Sequence, residues 1–507
     1  MSFSKVHSAQ TSLLKAQIID IETDISKGLN SFTVVGLPDK AVEESRDRVS
    51  AAIKNSGFTS PKQTNQKTTV SLAPADLKKE GPYFDLGMAL GYLLATDEVE
   101  FEPAKKIFLG ELSLNGELRP VNGTLSIVLQ AREKGFTEVY LPEMNAEEAG
   151  LVDDIKIFPV KSLEQVLKHL LGQEKIKPQP KTKINYEIEI FRTDFSDIKG
   201  QENAKRAMEI AAAGGHNIAM FGPPGTGKTM LARAMSQILP PLTFPEILEI
   251  TSIHSIAGSL KGNIITTPPI RAPHHTASYV SLVGGGANLK PGEVTLAHRG
   301  VLFLDEFAEF DRKVIETLRQ PLEDGEISIS RAKGSATFPA RFILVAAFNP
   351  CPCGNRNSKT KRCICRPTDL LRYDRKISGP IIDRIDLWTE VAEINHEKLS
   401  NGASGEKSET IRDRVKIARE KQAKRFSDAG LKIHTNAEMN SRDISKFASL
   451  SDSVKKILNQ SADKLGLSPR AYHRLIKLAR TIADLDDQEN ISENHILEAL
   501  QYRPKQK

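Results

Sequence analysis

Eight consecutive residues, Gly222-Pro223-Pro224-Gly225-Thr226-Gly227-Lys228-Thr229, have the types and spacing of a polyphosphate cradle. In the pattern G-x-x-x-x-G-K-T, Gly225 and Gly227 let successive backbone N–H groups turn inward where a Cβ would resist. Lys228 then reaches the β- and γ-phosphates, and the Thr229 hydroxyl ligates Mg²⁺. The apolar run Asn217–Phe221 ahead of the loop has the length of a strand. Behind it, Met230–Met235 continues as a helix whose N-terminus faces the anion. A chance glycine-rich turn does not come with both flanks. ATP and Mg²⁺ are the expected ligands.

A second cluster lies downstream. Val301-Leu302-Phe303-Leu304 reads as a buried parallel strand, and Asp305-Glu306 follow at the end where open α/β sheets hold ligands. Asp305 is expected to hold Mg²⁺ through water, and Glu306 to polarise an attacking water. A third strand, Phe342–Ala347, runs into Phe348-Asn349. Taken alone, Asn349 is also explained as a turn residue before Pro350.

The four cysteines all fall in one short segment, as Cys351-x-Cys353 and Cys363-x-Cys365, which marks a site and not a disulfide framework. Four thiolates on one tetrahedral ion suit structural zinc, although C-x-C is tighter than the usual spacing. The residues between them are polar and basic, so Arg356, Lys359, Lys361 and Arg362 are candidate contacts to DNA phosphates. Gly325–Arg331 and Ala336–Phe342 alternate with period two around Ala332-Lys333-Gly334-Ser335. That predicts a hairpin with a basic tip, and adds Arg331 and Lys333 to the DNA candidates. On this reading the cysteine loop and the hairpin serve DNA, and Lys333→Ala at the tip should lower DNA-stimulated hydrolysis while basal hydrolysis persists. His274 and His275 form a pair with no third ligand at fixed spacing, so a loop or DNA-facing role is expected before a metal one.

These residues need elements to place them. A chain of 507 residues, 39% hydrophobic and 26% charged, predicts about three globular domains. No apolar run reaches the ~20 residues of a membrane helix, and Met1–Gln17 lacks the pattern of a signal peptide, so a cytoplasmic protein without membrane contact is expected. A net charge of +6 permits a nucleic-acid partner without requiring one. Residues 1–170 read as an α/β domain without a phosphate loop. Its strands are expected at Ala16–Ile21, Ser31–Val35, Thr68–Leu72 and around Val139, with helices at Lys40–Ser56 and Phe84–Leu94. Residues 171–192, rich in Lys and Pro, read as a linker. Residues 193–395 hold the phosphate loop and its parallel strands. Residues 396–507 carry four helical stretches with Ser caps.

Several stretches resemble known families. Leu72–Pro82 and Gly110–Val121 are similar to the proteolytic domain of Lon proteases. That family places a serine directly after a K-[DE]-G-P stretch and a lysine beyond a later turn. Tyr83 and Leu125 stand in those places, which implies a Lon-like shape without protease chemistry. Ala272–Ser278, Pro291–His298, Asn349–Gly354 and Ser378–Leu387 resemble the AAA+ branch of magnesium-chelatase ATPase subunits and ComM/YifB proteins. With the front domain and the cysteine loop included, the likeness to the ComM/YifB family covers nearly the whole chain.

The resemblance implies an α/β fold with three parts: an N-terminal Lon-protease-like domain, an AAA+ P-loop NTPase core with a parallel sheet, and a C-terminal helical lid. It implies that Asn349 positions the lytic water. Arg384 would be the arginine that reaches a neighbour's nucleotide, against the plainer reading of an Asp383–Arg384 surface pair. Arg470 corresponds to a second phosphate sensor, with Arg474 the rival one turn on. A homo-oligomeric ring, a hexamer, acting on branched or single-stranded DNA follows from the same likeness, with branch migration of incoming DNA in natural transformation as its task. A chelatase-type ATPase, or one that remodels a protein complex, is the alternative.

Overall fold

In Lys15–Lys27, Ile19, Ile21, Thr23 and Ile25 are buried while Asp20, Glu22 and Asp24 lie nearer solvent. This period-two alternation seats a strand with one face on a core. Its neighbours complete a seven-stranded mixed sheet, ordered Ser31–Val35, Gln66–Ala73, Lys15–Lys27, Phe3–Ser12, Lys106–Phe108, Glu138–Pro142 and Lys156–Val160. The helices Lys40–Asn55 and Asp85–Ala95 cover this sheet. Asp39 caps the first by accepting from Val42 N–H at 2.9 Å, and the second is apolar nearly all round, as a core helix must be. The computed structural model describes residues 2–186, 193–260, 264–286, 289–331, 334–356, 358, 360–394 and 405–504.

The chain divides into two units, Met1–Asn185 with Thr243–Ile265, and Tyr186–Leu242 with Thr266–Lys507. Two features of this division depart from the boundaries expected above. The segment read as a linker, 171–192, is bound along the first unit as far as Thr182. Ile176 N–H donates to His169 Nδ1 (2.9 Å), Gln179 N–H to the Ile157 carbonyl (2.7 Å), and Thr182 N–H to the Gly150 carbonyl (2.9 Å). Residues 187–192 lie outside the described residues. The second departure is the helix Phe244–Ala257, counted above with the core. It packs on the helix Thr124–Glu133 of the first unit, where Gly123 N–H donates to Ser255 Oγ at 2.9 Å.

Of the two places expected for a protease dyad, that of Tyr83 lies beside Thr11. Tyr83 Oη lies 3.4 Å from Thr11 Oγ1, and a Cβ on Gly123, two residues before Leu125, would fall 2.3 Å from Thr11 Cγ2. Leu125 is wholly buried. Neither side chain has the chemistry of a serine nucleophile or its lysine base.

The second unit is built on a five-stranded parallel sheet, ordered Ile270–Arg271, Val301–Leu304, Ile343–Phe348, Ile218–Phe221 and Leu387–Glu390. The three central strands are almost entirely buried, which matches their uninterrupted apolar sequences. The helices Glu202–Gly214 and Lys228–Ile238 pack against it. The C-terminal helices Ser408–Asp428, Ser441–Phe447, Asp452–Leu465, Pro469–Leu485 and Glu493–Gln501 share that core, since Leu475, Ile482 and Ile496 join Ile218, Met220 and Val345 in one apolar cluster. Ser451 and Ser468 cap their helices by accepting from Val454 and Ala471 N–H. Among the described residues no helix is long and apolar enough to cross a membrane.

Candidate nucleotide site and cysteine cluster

The central strand Ile218–Phe221 delivers the chain to the phosphate loop at its C-terminal end. Gly222 is required there because a Cβ would fall 2.1 Å from the Val391 carbonyl oxygen. Gly225 (φ +79°) and Gly227 (φ +94°) take left-handed conformations that side chains resist, and both face open space. The helix Lys228–Ile238 begins at Gly227 without a side-chain cap. Its first N–H groups are therefore available to an anion. Thr226 Oγ1 donates to the Pro223 carbonyl (3.0 Å) and stiffens the loop.

Lys228 is mostly buried. Its Nζ donates to the Gly222 and Pro223 carbonyls (2.8 Å each) and to Asn349 Oδ1 (3.2 Å). Burial pushes the Lys228 pKa down, against the pull of the Asp305 charge. Thr229 Oγ1 donates to Asp305 Oδ2 at 2.8 Å, so two hard oxygens of the kind Mg²⁺ prefers already adjoin. Glu306 has φ +51° and projects largely into solvent. Lys228, Thr229, Asp305 and Asn349 thus meet at the ends of three adjacent parallel strands.

For His275 a loop or DNA-facing role was expected. It sits in a turn, and its Nδ1 lies 2.9 Å from Glu306 Oε2. The strand Ile270–Arg271 is next to Val301–Leu304 in the sheet, and the chain leaving it brings His275 to Glu306. Sequence spacing carried no sign of this pair, because the contact depends on strand order. The neighbouring His274 is turned to Thr276 Oγ1 (2.9 Å).

The arginines separate by partner. Arg474 donates to Asp386 Oδ1 (2.6 Å) and to the Arg384 carbonyl (2.8 Å) and is nearly buried. Arg470 is more exposed and pairs with Glu323 Oε1 at 2.9 Å. Arg384 is turned away from Asp383: it bonds the Pro380 carbonyl (2.7 Å) and Glu323 Oε2. Glu323 carried no signal in the sequence, sitting in an ordinary amphipathic stretch.

The four cysteine sulfurs lie within 4.8 Å of one another, the one such convergence of potential metal ligands among the described residues. Cys351 Sγ is 3.5 Å from Cys353 Sγ and 3.8 Å from Cys363 Sγ, and Cys353 and Cys363 are 3.6 Å apart. Sulfurs bound at ~2.3 Å to one tetrahedral ion stand roughly 3.8 Å apart, so the donor set and its geometry suit a thiophilic metal. Backbone N–H groups of Asn355 and Ile364 hold the Cys353 thiol down at about 6.

The candidate DNA contacts are unevenly placed. Lys361 and Arg362 are exposed, whereas Arg356 is paired with Asp374 at 3.2 Å. Strands Glu326–Arg331 and Gly334–Pro339 form the expected hairpin, with Arg331 opposite Gly334. Lys333 and Lys359 lie outside the described residues.

Residues 194–399 match the family model described as "Magnesium chelatase, subunit ChlI", residues 21–145 "Subunit ChlI of Mg-chelatase", and residues 405–503 "Magnesium chelatase, subunit ChlI C-terminal". The chain is 44% identical to "Competence protein ComM" of Haemophilus influenzae, across 99% of this chain and 98% of that one. The chain belongs to the ComM/YifB family. With YifB of Escherichia coli the identity is 42%, over 99% of this chain and 97% of the relative. The likeness to the magnesium-chelatase 38 kDa subunit of Rhodobacter capsulatus is narrower, at 31% identity over 31% of this chain and 50% of that subunit. ComM/YifB proteins are thus magnesium-chelatase-like AAA+ ATPases, and the phosphate loop described here is the part of the fold suited to ATP and Mg²⁺.

Proposed function

We propose that this ComM/YifB protein is an ATP-driven, ring-forming DNA motor of the cytoplasm, a helicase that promotes branch migration of incoming DNA in natural transformation. The observation that carries the reading is end-to-end similarity to a competence protein, joined to the set of phosphate-handling side chains at the ends of three adjacent strands. Exposed Lys361 and Arg362 beside the cysteine cluster, and the hairpin ahead of the strand Ile343–Phe348, supply surface for phosphate backbones.

In this reading Lys228 exchanges its loop carbonyls for the β- and γ-phosphate oxygens. Thr229 and Asp305 would hold Mg²⁺, which would supply neutralising charge to the phosphates. Glu306 takes the proton of the attacking water, and Asn349, within reach of Lys228, orients that water. Arg384 acts on the nucleotide of the adjacent subunit in a hexamer, where its planar cation meets developing charge. Cys351, Cys353, Cys363 and Cys365 would hold zinc, which would keep the basic loop in shape.

The test is ATP hydrolysis with single-stranded, duplex and four-way-junction DNA. Junction or single-stranded DNA should raise the rate several-fold with steep salt dependence, and Lys228→Ala should abolish both nucleotide binding and stimulation. An unstimulated rate at low salt would favour the alternative, a chelatase-type or complex-remodelling ATPase working on a protein partner. The matches to magnesium-chelatase models keep that second reading in view.

A further inference from the structure

Two arginines from distant parts of the chain converge on one carboxylate. Arg384 follows the short helix Gly379–Ile382, and Arg470 lies in the first turn of Pro469–Leu485. Each directs Nη2 at Glu323, Arg384 to Oε2 and Arg470 to Oε1 at 2.9 Å. Glu323 in turn belongs to the helix Arg319–Asp324, which passes through Gly325 straight into the hairpin strand Glu326–Arg331.

Two guanidiniums this close repel each other, and a carboxylate between them offsets the repulsion. Partial burial opposes ionisation of Glu323, yet the bonds from Arg470 and Arg384 hold its carboxyl below the usual range. With two cations and one anion the cluster keeps a formal charge of +1, and it remains suited to an incoming oligoanion. The Pro380 carbonyl fixes a second edge of the Arg384 guanidinium at 2.7 Å, which leaves little freedom to its plane.

We propose that Glu323 is a positioning residue, which holds Arg384 and Arg470 side by side as a single cationic fork for the terminal phosphate of a neighbouring subunit's ATP. The proposal rests on the reading of Arg384 as an arginine that acts across the subunit interface. It adds that Arg470 serves that same phosphate, and that the base of the hairpin sets the position of both. Movement of the hairpin would then move the fork, through the helix that carries Glu323.

Glu323→Gln keeps the shape and removes the charge. In the full-length protein kcat should fall roughly tenfold or more, while KM and the affinity for a fluorescent ATP analogue change less than about twofold. Sedimentation and the unfolding midpoint should match the parent. In an Arg384→Ala background, Glu323→Gln should add little further loss, because the group it positions is gone. Arg470→Lys, which keeps the charge and loses the fork, should reproduce the kcat loss and serves if the Gln variant does not fold. Hydrolysis by Glu323→Gln at the parent rate or faster would overturn the proposal, the faster rate meaning that the carboxylate withholds the arginines. Losses that multiply independently in the double variant would overturn it too. If Arg384→Ala itself hydrolyses ATP normally, the cross-subunit reading falls and takes this one with it. If Arg384→Ala is crippled and Glu323→Gln is not, the role of Glu323 alone is refuted.

Discussion

Gly354 lies directly against Pro224: a Cβ added at Gly354, which has φ +79°, would stand 2.6 Å from Pro224 Cδ. The cysteine loop therefore abuts the phosphate loop. Cys351 is two residues beyond Asn349, whose carbonyl accepts from Tyr373 Oη at 2.9 Å.

Gly354→Ala should thus impair nucleotide binding without touching a cysteine. The new Cβ meets both an unfavourable φ and the Pro224 ring, together worth about 2 kcal/mol. Nucleotide affinity should fall several-fold, read by titration with a fluorescent ATP analogue, with bound metal unchanged. The double variant Cys351→Ser, Cys353→Ser should lose about one zinc per chain by elemental analysis and weaken nucleotide binding as well. Normal affinity in both proteins would show that the contact is passive.

The His275–Glu306 pair separates binding from chemistry. Glu306→Gln should bind ATP and lose hydrolysis by about 10² or more. His275→Ala should also bind ATP normally, with kcat reduced about tenfold because Glu306 is no longer held. Single-turnover hydrolysis measures this directly. If His275→Ala weakens binding and spares the single-turnover rate, the histidine contributes to the fold of the loop and not to the carboxylate.

Asp386 is fully buried against Arg474, His216 and the Asn217 N–H. Burial favours its neutral form, but Arg474 above all, with His216 and Asn217, holds the carboxyl well below the ordinary range. A carboxyl with a lowered folded pKa contributes stability that is complete above its unfolded value near about 3.9, and that is lost as pH falls through the folded value. Arg474→Ala removes the main partner of this buried charge and should cost about 3–5 kcal/mol at neutral pH. Urea unfolding at a series of pH values should show the gap between parent and variant narrowing as pH drops through the carboxylate range. A gap that stays constant down to pH ~3 would mean that Asp386 is not the group Arg474 stabilises.

Read alone, the chain already determined the identity of the phosphate loop, the acidic strand end and the cysteine cluster. Each of these is written in adjacent or closely spaced residues, whose geometry follows from local backbone rules. A loop flanked by an apolar strand and a helix, or four thiols in one short segment, has few other uses. The period-two and helical spacings likewise placed elements such as Ser31–Val35, Lys40–Asn55 and Val301–Leu304, but gave no sign of the strands Phe3–Ser12 and Lys106–Phe108. Pairings between residues far apart in sequence depended instead on the order of strands and the path of crossovers, which only the tertiary structure decided. His275 reaches Glu306 because its strand is the neighbour of the acidic one in the sheet. Arg470 and Arg474 have the same residue type one turn apart, so the sequence could not rank them. The fold gives Arg474 to buried Asp386 and Arg470 to Glu323. The helix Phe244–Ala257 reads as part of the core by position, yet it completes the first unit, because its apolar side finds burial against Thr124–Glu133. Burial is a property of the whole packing arrangement, and no local spacing encodes which distant surface will supply it.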